Sequence, residues 1–427
     1  MDGGNRMRVH FIKGKDSDIA FLCDTLEIFK VTPEERKRLE SQKIMGEKYP
    51  ELVVDEAPDY FSTLILHVSN ACNMKCAYCF ANHGSYGSNE GLMSEKTALQ
   101  AVDVYYGRYK RIKQIKFFGG EPLMNVPVIE AVCRHVGEKY GRGEIQGLPE
   151  YKIVTNGSIM TDMAMEVIKN YDIQVVFSMD GPQEIHDYAR IFSDGSGSFE
   201  KIRGNFRKLR DHTGGKQPYG VEMTYTAIHR QHGMSMKDVT EFFVTEFQVE
   251  ARNVNISPVS ADDGSIFALK DQNYCLIDSA KEILSAMENG QKDCLDQKLY
   301  FLIKKIKAGV KSDRQVCNAA WKWSAVSASG NVYPCLMFMD RDEYMMGNIY
   351  EDLFHDSRYQ KLTDTWSHYD RFQKPSCRNC FANNLCINCM GQNMDASGSV
   401  YEKPVKQCDA MRKLMEVVIE GIAEGVF

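Results

Sequence analysis

The sequence predicts an α/β protein built on a parallel sheet, and three observations predict it. Between residue 63 and about residue 255, six short β-rich runs alternate with longer helical stretches. Repeated strand-then-helix order produces a parallel sheet with crossover helices. Polar or glycine-bearing motifs follow several of the strand-like runs, and such sheets and barrels carry their sites at that end. Six such units suit a partial (β/α)6 barrel.

The predicted strands are Thr63–Val68, Gln114–Phe118, Tyr151–Thr155, Gln174–Ser178, Val221–Tyr225 and Ala251–Asn255. Helical patterns lie between them. Ser94–Lys110 opens on a serine cap with Glu95 in its first turn. Val126–Tyr140, Asp162–Lys169, Phe199–Asp211 and Met236–Phe247 follow. Asp271–Asn289 and Asp296–Ala308 read as bridging helices. From Cys317 the pattern turns to cysteine-spaced loops, closed by a helix over about Asp409–Ala423. Ahead of the barrel, Arg8–Lys13, Ile19–Cys23 and Leu26–Lys30 read as short strands. Thr32 then caps a helix from Pro33 to about Lys43. The expected division is an N-terminal α+β segment over 1–60, the barrel and bridging helices over 61–310, and a cysteine-rich domain over 311–427.

Composition excludes several classes. At 43% apolar and 26% charged residues the chain is globular rather than disordered. A net charge of −6 argues against nucleic acid as a main partner, because phosphate binding needs a basic footprint. No stretch reaches the roughly 18 apolar residues of a membrane span. Met1–Lys15 has no signal-peptide core. Fourteen cysteines in such a chain read as metal ligands or catalytic groups in a reducing, cytoplasmic setting.

Three of those cysteines, Cys72, Cys76 and Cys79, share one loop with gaps of three and two residues. Four-iron clusters are normally held by four thiolates, so a loop with three leaves one iron open to a small molecule. Tyr78 beside them can pack on a flat ring. Phe117-Phe118-Gly119-Gly120-Glu121-Pro122 ends the second strand. Glycines there let the backbone approach a ligand, and a carboxylate just beyond can accept from an ammonium. Asn156 follows the third strand, and Ser178 and Asp180 end the fourth. These offer polar groups where a ribose can sit, although Asn156 also suits a plain turn. Arg190 supplies a guanidinium fork for a carboxylate, with a structural salt bridge as the alternative. Farther on come Cys317, Cys335, Cys377, Cys380, Cys386, Cys389 and Cys408.

The three-cysteine loop closely resembles that of radical S-adenosylmethionine (SAM) enzymes, and the last seven cysteines resemble their SPASM extension. The resemblance implies a radical SAM partial barrel. The loop cysteines would hold the cluster that binds SAM, which is cleaved to a 5′-deoxyadenosyl radical. Gly119, Gly120 and Glu121 would hold the SAM amino group. Asn156, Ser178, Asp180 and Arg190 would face its ribose or carboxylate. Cys377, Cys380, Cys386 and Cys408 would close one auxiliary cluster, and Cys317, Cys335 and Cys389 would hold another with three thiolates, for three [4Fe–4S] clusters in all. One departure is that Cys386 and Cys389 are separated by two residues where the family usually has three. Cys294, the nearest cysteine upstream of Cys317, is 23 residues away. A zinc ribbon is the rival, but its CxxC pairs are normally about 15–20 residues apart.

Within the class, residues 79–87, Gly91–Ser94 and Phe117–Asn125 look most like maturases that install thioether crosslinks in ribosomally made peptides, of ranthipeptide or sactipeptide type. The implied partners are a cysteine-containing precursor peptide and an electron donor such as flavodoxin or ferredoxin. The alternatives are sulfatase-maturase-like chemistry and carbon–carbon or quinone-forming crosslinking. The first 60 residues resemble part of a leader-peptide-binding module, or act as a simple cap on the barrel.

Overall fold

The computed structural model describes residues 8–41, 52, 54, 59–86, 91–215, 220–261, 264–269, 275–291 and 293–427. Its centre is a parallel run of strands in sequence order: β4 (Tyr60–Ser69), β5 (Arg111–Gly119), β6 (Glu150–Thr155), β7 (Gln174–Ser178), β8 (Gly220–Tyr225) and β9 (Val254–Pro258). Three antiparallel strands, β1 (Val9–Lys13), β2 (Asp18–Leu22) and β3 (Ile28–Val31), precede them and are followed by α1 (Pro33–Ser41). The crossovers are α2 (Glu95–Arg108), α3 (Val126–Gly141), α4 (Asp162–Asn170), α5 (Gln183–Ala189) with α6 (Phe199–His212), and α7 (Ala227–Gln231) with α8 (Met236–Phe247). The end of the first expected helix, at Lys43, and the start of the seventh, at Asp271, lie outside the described residues.

Alternation along the strands explains the layering. On β5, Ile115 and Phe117 are buried and share one apolar cluster with α2 and α3 residues such as Val102, Tyr105, Val132 and Val136. Gln114, Lys116 and Phe118 lie on the opposite, inner face and are only partly buried. A strand's side chains alternate between faces, so one face builds the core and the other lines the lumen. β4 is different: its run from Leu64 to Ser69 is buried on both faces, the mark of a central parallel strand.

Two features depart from the sequence reading. The sixth strand begins at Val254 rather than Ala251, because Ala251–Asn253 form a tight 3-10 turn that brings Val254 opposite Val221. The sheet also has nine strands among the described residues, not six. After α9 (Cys275–Glu288) and α10 (Gln297–Lys307), strand β10 (Trp323–Val326) pairs parallel with β4 and extends the barrel sheet through β11 (Asn331–Tyr333) and β12 (Gly347–Asn348). The cysteine-rich region is thereby joined to the barrel by a continuous ladder of hydrogen bonds. It ends in α11 (Ser357–Ser367), α12 (Pro375–Arg378), α13 (Met390–Ser397) and α14 (Val405–Ala423).

The N-terminal sheet docks on that far side. Ile19, Phe21, Cys23 and Leu26 share an apolar cluster with α9, α10 and α14 residues, including Ile283, Leu302 and Val418. His10 stacks on Phe381 at 3.6 Å, and Arg8 donates to the carbonyls of Arg378 and Cys380.

Candidate active site at the open end of the barrel

The three-cysteine loop leaves β4 at Ser69 and is pinned on two sides. On one side, Gly120 N–H donates to the Ser69 carbonyl at 2.8 Å and Glu121 N–H to the Ala71 carbonyl at 2.9 Å. A Cβ on Gly120 would stand 2.4 Å from the Ala71 carbonyl oxygen and 2.8 Å from Gly84 Cα. The glycines thus let the loop backbone lie directly on the end of β5. On the other side, Lys75 N–H donates to Ile191 O at 2.8 Å and Ala77 N–H to Ala189 O at 2.9 Å.

The thiols so held are half-buried and in no disulfide. Donors point at their sulfurs: Met74 N–H at Cys72 (3.5 Å), His83 N–H at Cys79 (3.3 Å) and Asn156 Nδ2 at Cys72 (3.7 Å). Burial pushes the Cys72 thiol up to about 12, with Glu121 and the other two thiols adding to the rise. A thiol so raised stays protonated alone and is deprotonated by metal binding. A soft three-sulfur set with amide donors aimed at it fits an iron–sulfur cluster. Among the described residues no three His, Cys, Asp or Glu side chains converge on a single metal-ion position. A multi-iron cluster spreads its thiolates over separate irons.

Beside Cys76 lies a polar knot. Tyr78 OH donates to Asp180 Oδ2, and Arg190 Nη1 donates to Tyr78 Oη at 3.2 Å. Asp180 Oδ1 accepts from Thr224 N–H at 3.1 Å, and the Asp180 carbonyl faces His229 Nε2 at 2.6 Å. His186 closes the knot. Its Nδ1 accepts from Asp180 N–H. Ser198 Oγ donates to the Arg190 carbonyl and so must accept from His186 Nε2, which fixes the tautomer. Burial pushes His186 down to about 4, so the ring stays neutral. Arg190 is 8% exposed, and its Nε–H has no acceptor among the described residues. A buried unsatisfied guanidinium N–H is the mark of a place for an anionic ligand group.

Glu121 is wholly buried. Its Oε1 accepts from Leu123 N–H (2.9 Å) and Thr155 Oγ1 (2.6 Å), and its Oε2 from Asn156 N–H (2.7 Å). Burial raises it to about 7 against the pull of those donors. The carboxylate therefore ties β5 to the end of β6 and keeps about one acceptor site in reserve. Asn156 Nδ2 also bonds Asn73 Oδ1 at 3.0 Å, so it belongs to the loop's support. Ser178 ends β7 on the inner face, in register with Glu222.

In the C-terminal region the thiols fall into two groups. Cys335 feels the charges of Cys317 and Cys389, whereas Cys377 and Cys408 feel Cys386. Cys294 is buried in the cluster beneath the N-terminal sheet, against which Cys380 also packs, whereas Cys317 and Cys335 pack against the barrel core.

A model of the radical SAM superfamily matches residues 66–243, and one of the SPASM iron–sulfur cluster-binding domain matches residues 317–381. The chain carries a radical SAM domain and a SPASM domain. A radical SAM domain binds SAM and a [4Fe–4S] cluster, and a SPASM domain binds auxiliary clusters. An uncharacterized protein of Methanocaldococcus jannaschii is 39% identical over 149 residues, 35% of this chain and about half (49%) of that protein. The radical SAM cyclopropyl synthase TigE of Paramaledivibacter caminithermalis is 24% identical over 393 residues, 86% of this chain and 75% of that one. The solved structure described as native anSMEcpe with bound AdoMet superposes with a TM-score of 0.68 at 20% identity, over 85% of this chain and 99% of its own. That likeness is one of fold.

Several supporting groups of this radical SAM site were not foreseen: His186, Ser198, His229 and Thr224. No helix among the described residues is long and apolar enough to cross a membrane.

Proposed function

We propose that this radical SAM/SPASM enzyme acts on a ribosomally made precursor peptide and joins a cysteine sulfur to a peptide carbon as a thioether. The reading rests on one observation: the inner thiol group holds three cysteines, Cys317, Cys335 and Cys389, and Cys294 sits elsewhere in an apolar cluster. Three protein thiolates leave one ligand place for a substrate cysteine. When bound, SAM and its cluster supply a deoxyadenosyl radical that takes hydrogen from the peptide. In this reading the chain's own residues hold and orient: Cys72, Cys76 and Cys79 carry the SAM cluster, Gly119, Gly120 and Glu121 shape the amino-group end, and Asn156, Ser178, Asp180 and Arg190 face the ribose and carboxylate. A flavodoxin- or ferredoxin-like donor supplies electrons. Likeness to a radical SAM cyclopropyl synthase supports radical SAM bond formation in general and leaves the bond type open.

The test is anaerobic incubation with a cysteine-containing precursor encoded nearby. A thioether product loses two hydrogens per ring and resists thiol alkylation, and a Cys→Ser precursor is not converted. An aldehyde or a carbon–carbon bond in the product replaces this reading with the sulfatase-maturase-like or crosslinking alternative.

A further inference from the structure

The four-cysteine group of the C-terminal region gathers Cys377 from α12, Cys380 and Cys386 from the loop behind it, and Cys408 from the start of α14. All four thiols are half-buried and in no disulfide. Cys377 feels Cys386 and Cys380, and Cys408 feels Cys386 and Cys377. Four soft sulfurs grouped in this way fit the thiolates of a fully ligated iron–sulfur cluster.

The cations around this group differ in what holds them. Lys374 pairs with Glu402 at 2.6 Å and Arg8 with Asp24 at 2.6 Å. Arg412 donates toward Cys380, but its charge is shared with Asp409. Arg371 is buried and spends its donors on the carbonyls of Asp313, Asn383 and Cys386. Lys403 is different. Its Nζ donates to the Ile387 carbonyl at 2.9 Å and to Cys386 Sγ at 3.8 Å, with no carboxylate in salt-bridge distance among the described residues. The same ammonium acts on Cys408, 22 residues from Cys386 in sequence, and pulls that thiol down against its burial. By contrast, the donor on Cys317 is a neutral amide, Ala319 N–H at 3.4 Å, as are those on Cys72 and Cys79.

A cluster held by four thiolates is one charge more negative than one held by three, and added negative charge makes reduction harder. A cation that donates to a ligand sulfur acts the other way, because it stabilises the more negative, reduced form.

We propose that Lys403 tunes the auxiliary cluster that Cys377, Cys380, Cys386 and Cys408 would hold: its ammonium, seated on the Cys386 sulfur, raises that cluster's reduction potential. The inference rests on this ligand set and is independent of the bond the enzyme makes. The step concerned is the reversible gain of one electron from the flavodoxin- or ferredoxin-like donor, in which no bond forms or breaks and no proton moves. Lys403 acts through Cys386 and is a positioning residue.

An anaerobic redox titration of the iron-loaded enzyme, followed by electron paramagnetic resonance, tests this without substrate. Cys408→Ala identifies the cluster as the reduction wave that disappears. In Lys403→Gln and Lys403→Met that wave should move down by about 59 mV, the one-electron equivalent of a tenfold change in the reduced-to-oxidised ratio, which is the scale of one charged hydrogen bond. Lys403→Arg should hold it near the wild-type position, and the waves of the other two clusters should stay in place. A wave that moves in neither neutral variant, at wild-type iron content, overturns the proposal. So does an equal shift of all the waves, the sign of a general loosening. Loss of this cluster in both neutral variants also overturns it, because Lys403 is then a strut for assembly. A Cys408→Ala enzyme that keeps every wave unmoved refutes the ligand set instead, so the two readings fail separately.

Discussion

Gly120→Ala is the sharpest test of how the cysteine loop is held. The new methyl would meet the Ala71 carbonyl oxygen at 2.4 Å, its carbon at 2.7 Å and Gly84 Cα at 2.8 Å. All three are backbone atoms, so no side chain can rotate away. Overpacking typically costs about 1–3 kcal/mol, and a backbone obstacle belongs at the upper end. Two hydrogen bonds share the seam, Gly120 N–H to Ser69 O and Glu121 N–H to Ala71 O. Losing both adds roughly 1 kcal/mol each. The expected loss is then about 3–5 kcal/mol if the loop stays docked, a large part of the ~5–15 kcal/mol of a typical domain. The loop can instead lift off, which costs less stability but separates Cys72 from Cys76 and Cys79. Denaturant unfolding and iron content together read both routes. Gly137→Ala is the control: it lies within α3, no atom stands within 4 Å of its new methyl, and helix propensity should raise stability by about 0.5–1 kcal/mol. A Gly120→Ala protein with wild-type stability and wild-type iron would refute the packing argument.

Replacing Cys72, Cys76 and Cys79 together by alanine should leave iron at the C-terminal cysteines but abolish 5′-deoxyadenosine release on reduction; continued release would remove these residues from the SAM site. Glu121→Gln must turn an amide N–H₂ toward one of three donors, so SAM affinity should fall by the order of 1.5–3 kcal/mol; unchanged affinity in a dialysis titration would make Glu121 a strut only. Burial holds His67 and His186 at about 4 against an ordinary 6.5. Below pH 6.5 the unfolded chain takes up protons that the fold refuses, so stability falls as pH drops from 6.5 toward 4, by roughly 2 kcal/mol per histidine at pH 5. Melting temperatures that stay flat from pH 7 to 5 would contradict that, and His186→Gln should remove part of the slope. Deleting residues 1–60 should expose the apolar faces that Ile19, Phe21 and Leu26 cover and give an aggregating protein by light scattering; a monodisperse, SAM-cleaving core that binds peptide less well would support leader binding instead.

The sequence by itself determined the six barrel strands, the cysteine spacings and the order of motifs, because these are local. Alternation within β5 and thiol spacing within one loop need no knowledge of distant neighbours. The strand order β4 to β9 followed from the repeated strand–helix order for the same reason. Pairing between distant segments was decided only by the tertiary structure. Nothing in Trp323–Val326 announces a parallel partner 260 residues earlier at Thr63–Leu66, since an edge strand accepts any complementary backbone. Tyr78, Asp180 and Arg190 meet across gaps of 102 and 112 residues because their loops leave the same end of one sheet. Glu121 reads in sequence as a ligand-facing acid; folded, its carboxylate binds two strand ends together, since a buried charge must be satisfied by whatever donors surround it. Alternation along β5 and β6 separates two faces but does not tell water from a lumen. The curl of the open sheet into a partial barrel makes that distinction, and it places Lys116 and Lys152 on the inner face.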